Sequence, residues 1–173
     1  EATDLISGGS DMNGESDAFL WGRESGLVRL VSHVPGSPTT AATGISSPVQ
    51  VSDDGRYVIL FSGAADLVAG VDTNGAADAF LWDGDDGSVR LISHSAASST
   101  TAGNGSSRPV ALGPEARYVA LTSDATDLVT GATDGNSAND AFLWERTSGT
   151  LVLVSRTPAP AATTGNGSSA ATA

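Results

Sequence analysis

The chain has 173 residues, 20 acidic against 8 basic, a net charge of -12 and no cysteine. Such a surface repels nucleic acid and anionic lipid, because the electrostatic term that drives those associations has the wrong sign. Without thiols there is neither a disulfide framework nor a thiolate metal site.

Hydrophobic residues make up 39% of the chain and aromatics 5%, so a core must come from short apolar strands between polar loops, which favours β structure. No run of eighteen apolar residues and no signal-like pattern occurs, so no membrane insertion is expected. Glu1 in place of Met points to a mature product or a fragment. Fifteen of the acidic residues are Asp, a turn and cap former, which places the negative charge in loops.

From the N-terminus, the first structured signal is Asp17-Ala18-Phe19-Leu20-Trp21, then a Gly-containing turn and Val28-Arg29-Leu30-Val31-Ser32. Two apolar runs follow at 48–51 and 57–61, and then Asp78-Ala79-Phe80-Leu81-Trp82 with Val89-Arg90-Leu91-Ile92-Ser93. The same order recurs at 109–112, 118–121, Asp140-Ala141-Phe142-Leu143-Trp144 and 151–155. The three Trp are 61 and 62 positions apart. Each run is short, rich in β-branched and aromatic types, and bounded by Gly, Asp, Ser or Pro, which reads as strand. Along 57–61 both alternating faces are apolar, so this strand is expected to be covered on both sides.

A period near sixty holding four strands predicts an all-β fold of four-stranded antiparallel, propeller-type blades, about two and a half in this chain. They divide as a half blade at 1–33, full blades at 48–94 and 109–156, and an Ala/Thr/Gly/Ser-rich tail at 157–173, all within one repeat domain. The strand order, with the turn Ser52-Asp53-Asp54-Gly55-Arg56 between the first and second strands, resembles the WD-like repeat of TolB-type bacterial β-propellers. The second full repeat has Gly113-Pro114-Glu115-Ala116-Arg117 there instead. The resemblance implies a secreted or cell-surface bacterial protein. Closed propellers need four to eight blades, so the missing neighbours are expected from other copies of the chain or from a longer parent. A tail of this composition frays unless tied down, and contact with another chain as an added edge strand is one way to tie it.

The long connection between the second and third strands repeats its carboxylates in the pattern D-x-N-x-x-x-D. The residues are Asp11, Asn13 and Asp17 in the first copy, with Asp4 upstream. They are Asp72, Asn74 and Asp78 with Asp66 in the second, and Asp134, Asn136 and Asp140 with Asp127 in the third. Alternate Asp and Asn in a tight loop supply the hard oxygens calcium wants, and the same residues form Asx-turns that cap backbone amides. Both readings stand at this level. Meander geometry puts these connections and the blade-to-blade links at one end, which is either a binding face or simply where long links must cross between blades.

Trp21, Trp82 and Trp144 fit either core packing or stacking on carbohydrate. His33 and His94 share a repeat position that holds Arg156 in the third copy, which argues against a catalytic base. Asn104-Gly105-Ser106 and Asn166-Gly167-Ser168 match the N-glycosylation pattern. Every notable residue recurs by repeat, whereas an active site needs a unique constellation, and no nucleophile elbow or zinc motif occurs. The expectation is a non-catalytic scaffold or binding module, with a self-assembling subunit and a lectin as the other readings.

Overall fold

A computed structural model describes residues 5–9, 11–158 and 163–172. Among them the chain is all-β, with one 3-10 turn at Pro114–Ala116. Sheet I is a hairpin of β1 (Phe19–Trp21) and β2 (Val28–Leu30). Sheet II is a four-stranded antiparallel meander of β3 (Ser46–Val51), β4 (Tyr57–Ser62), β5 (Asp78–Asp83) and β6 (Val89–Leu91). The next link holds a short pair that the sequence does not announce, β7 (His94–Ser95) and β8 (Ser98–Ala102). Sheet III repeats the meander with β9 (Ser107–Leu112), β10 (Tyr118–Ser123), β11 (Asp140–Glu145) and β12 (Thr150–Leu153). The sheets do not close on one another.

Proline is tolerated in β3 and β9 because each is an edge strand and each ladder shifts register there, between Pro48 and Gln50 and beside Pro109. The fourth strand of each repeat ends the same way. In sheet II the amides of Ile92 and Ser93 both donate to the carbonyl of Ala79, at 2.8 and 3.4 Å. Val31 and Ser32 do this to Ala18, and Val154 and Ser155 to Ala141.

Strand pleating divides the core in two. Tyr57, Ile59, Ala79, Leu81 and Ile92 on one face of sheet II pack with Val119, Leu121, Phe142 and Trp144 of sheet III. Val58, Leu60, Phe80, Trp82 and Leu91 on the other face pack with Ala18, Leu20 and Val31 of the first repeat and Ala42 of the following link. Sheet II is thus covered on both sides, as its doubly apolar β4 requires.

The described part of the tail is held within its own chain. Thr163 forms a parallel bridge with Thr133, and Thr164 an antiparallel one with Arg156. The amide of Ser169 donates to Asn139 at 2.7 Å. The preceding repeat has the same arrangement, with Val71 bridging Thr101 and Ser107 donating to Ala77. The described part of the tail is therefore tied within the chain in the same way as the link that precedes sheet III.

Candidate functional site

The repeated Asp/Asn loops lie where the connection between second and third strands meets the outgoing link, so the two long segments share one end of each sheet. In the second copy, the Asp72 carboxylate accepts the amide of Asn74 at 3.1 Å, and Asn74 Oδ1 accepts that of Ala76 at 2.5 Å. Both are Asx-turns. The Asn74 Nδ2 then donates to the carbonyl of Gly103 at 2.5 Å, and sits 3.4 Å from that of Gly105 and from Asp78 Oδ2.

The third copy superposes this chemistry: Asp134 accepts Asn136 N at 2.9 Å and Asn136 Nδ2 donates to Gly165 O at 2.6 Å. In the first, Asp11 accepts Asn13 N at 3.3 Å and Asn13 Nδ2 donates to Ala42 O. In all three the acceptor lies 29 positions downstream.

The final Asp of each pattern starts or precedes the third strand and holds a serine. Ser32, Ser93 and Ser155 donate to Asp17, Asp78 and Asp140 at 2.8, 2.7 and 2.8 Å. Each hydroxyl in turn accepts the amide of Ala18, Ala79 or Ala141 at 2.9 to 3.0 Å. Burial pushes the Asp78 carboxyl up to about 7, against the lowering effect of the Ser93 hydrogen bond, with the negative charges of Asp72 and Asp127 adding to the rise. Asp140 is raised for the same first reason, burial.

Asp66 stands apart from Asp72, Asn74 and Asp78. It takes the amide and hydroxyl of Thr43 at 2.8 and 3.0 Å, on the incoming link. Its counterpart Asp127 takes the amide of Asn104 at 2.9 Å. The carboxylates that raise Asp78 are Asp72 of its own loop and, after it, Asp127 of the next repeat. Asp4 lies outside the described residues.

Asn74 Oδ1 accepts from Ala76 and its NH2 group is directed at the carbonyl of Gly103. Among the described residues no group of three or more His, Asp or Glu is positioned to hold a metal. Asx-turns are formed at Asp11 and Asn13, at Asp72 and Asn74, and at Asp134 and Asn136.

The aromatic and histidine candidates divide by position. Trp82 and Trp144 are 1% and 2% exposed and belong to the core, whereas Trp21 is 60% exposed. His33 is buried, with Nδ1 3.0 Å from the carbonyl of Val34. His94 joins two sheets, its Nε2 lying 2.8 Å from the carbonyl of Gly149. Asn104 exchanges hydrogen bonds with Thr126, at 2.8 Å in each direction, so glycosylation there requires breaking a formed pair.

Compared with known proteins, the chain matches no family model, no curated protein and no solved structure. Its functional reading therefore rests on its own geometry.

Proposed function

We propose that the chain is a non-catalytic scaffold of a WD-like, TolB-type bacterial β-propeller repeat, secreted or on the cell surface, whose partners are further blades of the same kind. The observation that carries this reading is the state of its two outer faces. Where sheets II and III meet, a Tyr/Ile/Leu/Ile face packs on a Val/Leu/Phe/Trp face, and where sheets I and II meet, Ala18, Leu20 and Val31 of the first repeat pack on the corresponding Val/Leu/Phe/Trp face of sheet II. Trp21, which corresponds to buried Trp82 and Trp144, is 60% exposed, and Val154, which corresponds to fully buried Ile92, is 56% exposed. Each outer face thus presents one half of an interface that the molecule itself makes twice. Because the halves differ, their contact is heterologous, and it gives a ring if the rotation closes and a filament if it does not.

The absence of catalysis in this reading follows from how the polar side chains are used. The Asp, Asn and Ser of the loops recur in three copies and hold backbone groups in each, which leaves no unique nucleophile-base pair among them.

Light scattering over a range of protein concentrations, with calcium and then with chelator, tests the proposal. Growth of a ring or fibre with concentration supports it. A monodisperse monomer throughout counts against it, and loss of assembly in chelator alone would add calcium to the mechanism.

A further inference from the structure

The two internal junctions are built from the same repeat, yet an arginine bridges one and a cleft lies at the other. Between sheets I and II, Arg29 lies over the Trp82 ring, 4.7 Å from its centroid, and its Nη1 donates to the carbonyl of Gly84 at 2.7 Å. Between sheets II and III the corresponding residues are Arg90, Trp144 and Arg146. Here Arg146 replaces Gly84, and its guanidinium turns onto Tyr57 of sheet II, 4.8 Å from that ring. Arg90 is exposed, and among the described residues its guanidinium stacks on no ring, with Asp86 as a charge partner. A cleft of about 490 Å³ lies at this second junction.

Its lining has a definite chemistry. Arg90, Arg146 and His94 face it with no carboxylate among the lining residues, in a chain whose net charge is -12. Val68, Val89, Leu91 and Trp144 supply an apolar wall, and hydroxyls come from Ser99, Thr100, Thr147 and Ser148. Among the described residues Arg146 Nε is a buried donor without a partner, whereas the unpartnered Trp144 Nε1 is matched by Trp82 Nε1 at the first junction. An occupant that meets Arg146 should therefore bring an acceptor. Guanidinium forks suit a carboxylate, an apolar wall suits the C–H face of a ring, and hydroxyls suit a hydroxylated body. The volume is that of a small-molecule site.

We propose that this cleft binds a sugar acid, a hexuronate-type ring whose carboxylate meets Arg90 and Arg146 and whose ring lies against the half-buried Val68 and Val89. The site is formed within one chain, so it stands or falls independently of assembly with further blades.

Titration of the ¹⁵N-labelled protein with glucuronate, followed by NMR, gives a direct readout because Trp144 is one of only three indoles. The expected result is a saturable shift of the Trp144 indole N–H with glucuronate, and none with glucose, which lacks the charge, or acetate, which lacks the ring. Arg90→Gln is expected to weaken binding about tenfold, a loss of about 1.4 kcal/mol. Arg146→Gln should do the same, while Arg29→Gln at the first junction should leave it unchanged. Arg146 also packs on Tyr57, so the exposed Arg90 variant carries the test if Arg146→Gln unfolds. No shift with glucuronate, an equal response to glucose, or unchanged binding in Arg90→Gln would each overturn the proposal.

Discussion

Asp66 accepts both the backbone amide and the hydroxyl of Thr43, 23 positions upstream, at 2.8 and 3.0 Å. Eight residues further on, Asn74 reaches 29 positions downstream to the carbonyl of Gly103. One loop therefore grips the link entering its sheet and the link leaving it. The arrangement recurs with Asp127 on Asn104 and Asn136 on Gly165, which makes the loops the fasteners between successive sheets.

Removing either fastener should loosen the stack without unfolding a single sheet. Asp66→Ala removes the acceptor of two hydrogen bonds from a partly exposed site, and a cost of about 1 kcal/mol is expected. Asn74→Ala strands the carbonyl of Gly103 and the amide of Ala76 and is expected to cost about 2 kcal/mol. Urea unfolding of both variants and the double variant checks this. Equal, near-zero effects would mean that water replaces these contacts without loss.

The contrast between Trp21 and the two buried indoles gives a second prediction. Iodide should quench about a third of the tryptophan fluorescence readily and the remainder poorly, by accessibility alone. Trp21→Phe should abolish the accessible fraction. If the outer face of sheet I receives another blade, that fraction should fall as protein concentration rises. Quenching that is independent of concentration, alongside growth in mass, would place the contact elsewhere.

The strands were legible because each carries its own local signal. The Asp-Ala-Phe-Leu-Trp block and the double apolar faces of 57–61 locate strand positions and double burial without reference to anything distant. The pair formed by β7 and β8 was not legible, since His94-Ser95 and Ser98–Ala102 have loop composition and pair because the link is pinned at Thr101 by Val71. In the loops, residue types were readable and partners were not. The spacing groups Asp66 with Asp78, whereas the fold turns Asp66 to Thr43 and brings Asp127 toward Asp78, a relation set by how successive sheets stack. The cleft is invisible for a similar reason. It lies where Arg146 stands at the position of Gly84 and where Arg90, from a different sheet, stands at that of Arg29.

The turn between the first two strands of sheet III carries a local conflict. In sheet II this turn uses Gly55 at φ +72°, a left-handed conformation that suits glycine. In sheet III the chain adopts φ +54° at Glu115 and +49° at Ala116. Left-handed backbone is unfavourable for side chains with a Cβ, and Asn tolerates it better. Exposed Glu115→Asn should therefore stabilise the protein by about 0.5 kcal/mol, read as a raised midpoint in urea with an unchanged slope. A lowered midpoint would mean that the Glu115 side chain makes a contact worth more than the strain.

The sharpest solution test is pH. Burial lifts the Asp78 carboxyl to about 7 in the folded chain, while an unfolded Asp titrates near about 3.9. Between those values the folded state holds a proton that the unfolded state has released, so stability is greatest below the lower value and falls as pH rises toward 7. Glu145 works in the opposite sense. The hydroxyl and amide of Ser148 hold its carboxyl down to about 2, so its contribution is present above the ordinary glutamate range and is lost as pH falls toward 2. Together they place maximum stability at mildly acidic pH, between the two windows. Asp78→Asn keeps an oxygen to accept from Ser93 and has no charge to desolvate, so its thermal melts should match the parent near pH 4 and exceed it near pH 8. The gap should be on the order of 2–4 kcal/mol. Parallel curves for the two proteins would show that the Asp78 carboxylate finds compensation when ionised. If calcium provides it, adding the ion at pH 8 should raise the melting temperature of the parent and leave the Asn variant where it was.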